Sequence, residues 1–135
     1  MIKYITNTVY GCNIYHTTHQ TSLNINNLSL VKKMCLEELF SYEGYLKGVK
    51  AKFGSVRLIP VYINKNILLI PTKRVRDYEN IWLNYSQILL IESSDNKTKV
   101  TFKDYTNITI NIKYHNFIKR IKLAKKIINY KLSRS

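Results

Sequence analysis

Apolar and polar residues alternate along most of this chain, and the period of the alternation changes several times. Residues 2 to 26 alternate irregularly, with Ile5, Val9, Tyr10, Ile14 and Tyr15 as β-favouring positions; they predict two or three short strands with a turn near Gly11. From Ser29 to Phe40 the period becomes helical, with Leu30, Val31, Met34, Cys35 and Leu39 apolar and Ser29 as the expected N-cap. A second short helix is expected from Ser41, with Tyr42, Tyr45, Leu46 and Val49 apolar, Lys47, Lys50 and Lys52 on its polar side, and Gly54 at its end. Arg57 to Tyr62 and Asn66 to Ile70 predict a hairpin around Asn64-Lys65-Asn66. Pro60 has no amide to donate, which puts its strand at an edge or turns its amide position away from a partner strand. Pro71 ends the second strand, a basic loop runs from Thr72 to Asp77, and Trp82 lies in a short segment beyond.

The remainder has the clearest periods. Gln87 to Glu92 reads as a strand, and Ser93 to Asn96 as a turn. From Lys97 to Lys103, Lys97, Lys99, Thr101 and Lys103 share one face, with Val100 and Phe102 on the other. Ile108, Ile110 and Ile112 then line one side of a further strand, completing a three-stranded antiparallel meander. From Tyr114 to Leu132, Tyr114, Phe117, Ile118, Ile121, Ala124 and Ile128 recur at helical spacing. Lys119, Arg120, Lys122, Lys125 and Lys126 charge the rest of that helix. The expected fold is α+β: mostly antiparallel β-sheet with two short central helices and a C-terminal basic amphipathic helix, in one domain over residues 1–135.

Charge adds a partner to this picture. Lys and Arg total 22 against 8 Asp and Glu, a net charge of +14. Such an excess repels itself in the folded state unless a polyanion relieves it, and nucleic acid does so through phosphate contacts and counterion release. AT-rich codon usage enriches Lys, Ile, Asn and Tyr; it would raise Glu as well, yet Glu is scarce. The cations fall into three candidate surfaces: Lys47, Lys50, Lys52 and Arg57; the loop with Lys73, Arg74 and Arg76; and the last helix, which reads equally well as a solvated face. Arginine pairs with base edges and phosphates and enters narrow minor grooves, which favours the stretch from 57 to 76. The predicted DNA-binding residues are therefore Lys47, Lys50, Lys52, Arg57, Lys73, Arg74 and Arg76.

Catalytic chemistry finds little support. Two-metal nucleases need clustered carboxylates, whereas these are scattered; Glu37 and Glu38 diverge around a helix, and Asp77 and Glu79 read as a solvated turn. There is no Walker loop, dinucleotide glycine pattern or serine elbow. Cys12, His16 and His19 do not have the spacing of a zinc finger, and Cys35 is the only other thiol. No catalytic residue, metal or cofactor is expected, and the chain is not read as an enzyme. Its two cysteines make no disulfide framework, and its apolar runs are too short for a signal peptide or a membrane span. A cytoplasmic protein without membrane attachment is the expectation.

Several of these segments, taken in order, resemble the ComK family of competence transcription factors. Ser41-Tyr42-Glu43-Gly44 followed by Lys47 is similar to the family's S-Y-x-G-R segment, and Leu58-Ile59-Pro60-Val61 to its K-x-P-I-x-V strand. Ile67 to Thr72 resembles I-x-x-F-P-T, Ile81-Trp82 a W-I pair, and Val100-Thr101-Phe102, Ile108-Thr109-Ile110 and Tyr114-His115-Asn116-Phe117 the V-T-F, paired-strand and Y-N-S-F runs. The resemblance covers about residues 35 to 125. It implies an activator that binds A/T-rich double-stranded DNA at paired half-sites as a homo-oligomer, through the minor groove, with RNA polymerase as a candidate partner. Tyr45 stands where the family often has Arg, so a contact made there would have to move, for instance to Lys47. Lys73-Arg74 replaces a less charged stretch. The chain ends at Ser135, soon after the last helix, so control by an adaptor and protease that read a long C-terminal extension is not expected. An RNA-binding accessory protein, or a basic interaction module without sequence preference, are the readings that charge alone leaves beside this one.

Overall fold

The computed structural model describes residues 1–134; Ser135, the last residue of the expected domain, lies outside them. Three strands open the chain, β1 (Ile2–Thr8), β2 (Gly11–His16) and β3 (Gln20–Leu23), followed by α1 (Asn27–Glu37) and α2 (Tyr42–Phe53). Then come β4 (Val61–Asn64), β5 (Ile67–Pro71), β6 (Trp82–Asn84), the meander β7 (Ile88–Ser94), β8 (Lys97–Phe102) and β9 (Asn107–Ile110), and α3 (Tyr114–Ser133). The first six strands form one antiparallel sheet in the order β3-β2-β1-β6-β5-β4, and the meander forms a second, β7-β8-β9. The α+β class, the two central helices and the C-terminal helix are as expected.

The middle of the six-stranded sheet, at β5 and β6, is buried on both faces, and period-2 alternation explains how. Leu68, Ile70 and Leu83 belong to a core shared with the meander and α3, through Val100, Phe102, Ile110, Phe117, Ile121, Ala124 and Ile127. Leu69, Val61 and Trp82 point the other way, into a core with Ile5, Ile14, Leu30, Val31 and Cys35. β5 is an unbroken apolar run because it is covered on both sides. Lys3 of β1 ties the two sheets together: its ammonium pairs with Asp104 at 3.0 Å and donates to Thr106 Oγ1 at 3.0 Å.

Local differences from the sequence reading have identifiable causes. α1 starts earlier than Ser29, because Asn26 Oδ1 accepts from the Ser29 amide at 2.8 Å and is the true cap. It ends in Leu39, held at φ 68° with the Phe40 amide donating to Cys35 O, a left-handed terminus usually occupied by glycine. Arg57 to Pro60 is not strand; Leu58 sits at φ 52° and turns the chain before β4 begins at Val61. In α3 the buried positions are Phe117, Ile121, Ala124 and Ile127, whereas Tyr114 is exposed and Ile128 half-buried.

Candidate nucleic-acid interface

The candidate site is built where three distant segments meet along α3. The first is the bend after α2. Gly54 ends that helix at φ 86°, and its amide donates to Lys50 O. Arg57 lies exposed on this bend, and Leu58 after it sits in the left-handed region at a cost of about 1–2 kcal/mol.

The second segment is the loop between β5 and β6, which is fixed rather than loose. Buried Asn80 accepts through Oδ1 from the amides of Thr72 (3.0 Å) and Lys73 (2.9 Å). Thr72 Oγ1 accepts from the Ile81 amide at 2.9 Å. Arg120, reaching across from α3, donates through Nη1 to the carbonyls of Pro71 and Thr72. Burial pulls the Arg120 guanidinium below its ordinary pKa. Lys73 and Arg74 are thus presented from a braced backbone.

The third segment is α3 itself. Its first turn has no side-chain cap, and its exposed side carries Lys119, Lys122 and Lys126. Two adjoining grooves run along it. One, of about 640 Å³, is lined by Arg57, Lys73, Arg74, Lys113, His115 and Arg120, with Asn96, Asn111 and Asn116 between them. The other, of about 670 Å³, shares Arg57, Leu58, Asn116 and Arg120 and continues past Lys119, Lys122 and Lys126. Neither lining contains an Asp or a Glu. Like charges facing one another across an open recess raise the local potential together, a field that favours an anionic ligand.

Of the residues singled out in the sequence, Arg57, Lys73 and Arg74 come together here. Arg76 does not. It lines a separate small pocket with Asn7, Asn26 and Tyr78. Lys47 and Lys50 lie exposed on α2. Lys52 faces a different cleft, with its ammonium 5.0 Å from the Tyr130 ring centroid. Sequence reasoning missed Lys113, His115 and Asn116 and set the α3 lysines aside as a solvated face. The available signal was Arg120, a cation whose helical neighbours at i−3 and i+4 are the buried Phe117 and Ala124.

The recurring motifs have structural work. Ser41 Oγ accepts from the Gly44 amide at 3.0 Å to cap α2, and a Cβ at Gly44 would lie 2.7 Å from that oxygen. Tyr45 OH donates to Pro60 O at 2.7 Å and accepts from the Tyr62 amide at 3.0 Å, which seals the outer edge of β4. Its phenol pKa is raised, chiefly by burial. The Asp77 carboxylate accepts from the Glu79 amide at 2.8 Å and shapes its own turn. Cys12 is buried, and so is Cys35, whose thiol burial pushes up to about 11. Among the described residues no three His, Cys, Asp or Glu side chains are grouped to hold a metal ion, and no helix is long and apolar enough to cross a membrane.

By its fold and surface this is a basic α+β chain whose last helix borders a groove with no Asp or Glu among the described lining residues. The sequence model of one family, described as ComK protein, matches residues 2–134, nearly the whole chain. The chain belongs to the ComK family, whose members are competence-type transcription factors rather than enzymes. Neither a curated protein nor a solved structure matches it.

Proposed function

We propose that this chain, acting as one domain over residues 1–135, is a DNA-binding activator that grips A/T-rich double-stranded DNA in the groove along α3. The observation that carries the reading is the convergence of Arg57, Lys73, Arg74, Lys113, Lys119 and Lys122 from separate segments onto walls without a carboxylate. Lysines there neutralise phosphates, while Arg57 and Arg74 are the side chains suited to a narrow, negative A/T minor groove. The test is a titration of an A/T-tract duplex and a GC-rich duplex at two salt concentrations. The reading expects tighter binding to the A/T duplex and a steep loss with salt; equal affinities would remove the sequence preference, and a flat salt response the phosphate contacts.

The protein works as a homo-oligomer in this reading, with RNA polymerase as the partner an activator engages in the cytoplasm. What supports a self-association surface is β7, an edge strand longer than β3, β4 or β9. Leu89 and Leu90 are exposed on it, and residues 77–96 hold four acids and no Lys or Arg. Two copies pairing edge to edge there bury Leu89 and Leu90 and satisfy the backbone groups that β7 leaves unpaired at its edge. A Leu89→Lys, Leu90→Lys double variant is expected to sediment as a monomer at concentrations where the wild type does not; an unchanged mass would move the contact elsewhere.

A further inference from the structure

The cleft between α2 and α3 has a different chemistry from the groove. It encloses about 360 Å³, within the roughly 300–1,000 Å³ of small-molecule sites. Phe53 and Tyr130 form one wall, their ring centroids 6.2 Å apart and their planes at 82°. Ile127 closes the base, and Gly48 leaves the α2 side open: a Cβ there would meet nothing within 4 Å. Among the described residues that line this apolar space, Lys52 and Lys131 are the cations and none is a carboxylate, while the Arg134 guanidinium lies over the Tyr130 ring at 5.8 Å. Both ammonium groups are steadied over rings, Lys52 Nζ at 5.0 Å from the Tyr130 centroid and Lys131 Nζ at 5.4 Å from that of Tyr62.

We propose that this cleft binds a small apolar carboxylate, with the acyl chain or ring lying over Gly48 against Phe53 and Tyr130 and the carboxylate meeting Lys52 and Lys131. The apolar walls give nothing to a nucleotide's sugar and base edges, and the enclosed volume suits a single chain rather than a protein segment. A second copy of a +14 chain would bring like charge to the two lysines. The site shares no residue with the groove linings, so it stands or falls independently of DNA binding.

Decanoate, kept below its micellar concentration, is the probe, titrated calorimetrically into the full chain beside decanol and acetate. Wild type should bind decanoate saturably at one site, decanol about tenfold or more weaker, and acetate not at all, since tenfold is about 1.4 kcal/mol and a charge contact supplies that. Gly48→Leu fills the open space and should lose decanoate binding; Lys52→Gln with Lys131→Gln should lower decanoate to the affinity of decanol. Thermal melts check that each variant is folded. No saturable binding by wild type, equal affinity for decanol, or undiminished binding by a folded variant of either kind overturns the proposal.

Discussion

Two basic surfaces of this protein differ in what surrounds the charge. On α2, Lys47 and Lys50 project from one helix into solvent with no facing wall. Along α3, cations from the 54–60 bend, the β5–β6 loop and the helix face one another across a recess, and Arg120 bolts two of these segments together. The α2 helix carries three lysines, Lys47, Lys50 and Lys52, whereas the second surface groups five with Arg57 and Arg74 around one recess. Convergence from separate segments, more than local charge density, is what the proposed interface rests on.

The comparison can be broken most directly by charge removal. Arg57→Ala with Arg74→Ala is expected to weaken A/T-duplex binding by roughly a hundredfold, at about 1–3 kcal/mol for each arginine. Lys47→Ala with Lys50→Ala should change it less than about threefold, because unconfined phosphate contacts are screened. Fluorescence anisotropy with a labelled duplex reads both. If the α2 pair costs more, the assignment is reversed.

The next effect separates bracing from contact. Arg120→Met removes the donor to Pro71 O and Thr72 O and should destabilise the fold by about 2 kcal/mol in urea unfolding. Where still folded, it should also weaken DNA binding, since Lys73 and Arg74 lose their brace. Tyr45→Phe strips the hydroxyl from Pro60 O and the Tyr62 amide and should cost about 1–2 kcal/mol of stability while leaving DNA affinity unchanged. That outcome would place the position occupied by Tyr45 in the architecture rather than the interface. A loss of affinity at full stability would say the opposite.

Smaller effects sharpen the edges. Leu39→Gly relieves a left-handed leucine and should stabilise by about 1 kcal/mol, seen as a higher Tm with DNA binding unaltered. On the acid side, Asp104 is held below the usual carboxylate range by its hydrogen bond from Thr106, with Lys3 adding to it. Glu43 is lowered by its own backbone amide and then by Lys32. A carboxyl lowered in the folded state contributes stability that is complete above its unfolded value, about 3.9–4.3, and is lost as pH falls through the folded value. Stability should therefore decline below about pH 4, and Asp104→Asn should flatten that decline.

Much of the fold was legible because burial leaves a period in the chain. The apolar run Ile67–Ile70 announced a strand, the meander kept its alternation, and α3 its helical spacing. What could not be read depends on partners far away in sequence. Arg120 bonds carbonyls 48 and 49 residues away, and Tyr45 bonds backbone 15 and 17 residues away. Neither leaves a local pattern. The same holds for the site: Arg57, Lys73 and Arg74 were recognised as a class, while their union with α3 required the left-handed turn at Leu58, a conformation its residue type does not signal.

The central claim is that the α3 groove, and not α2, meets the phosphates. It is tested by the slope of log affinity against log salt for one A/T-tract duplex, measured for wild type, for Lys73→Ala/Lys119→Ala/Lys122→Ala, and for Lys47→Ala/Lys50→Ala/Lys52→Ala. Each lost phosphate contact lowers the slope by about one. The account predicts that the groove variant loses about three and the α2 variant less than about one. A slope that survives in the groove variant and collapses in the α2 variant would contradict it.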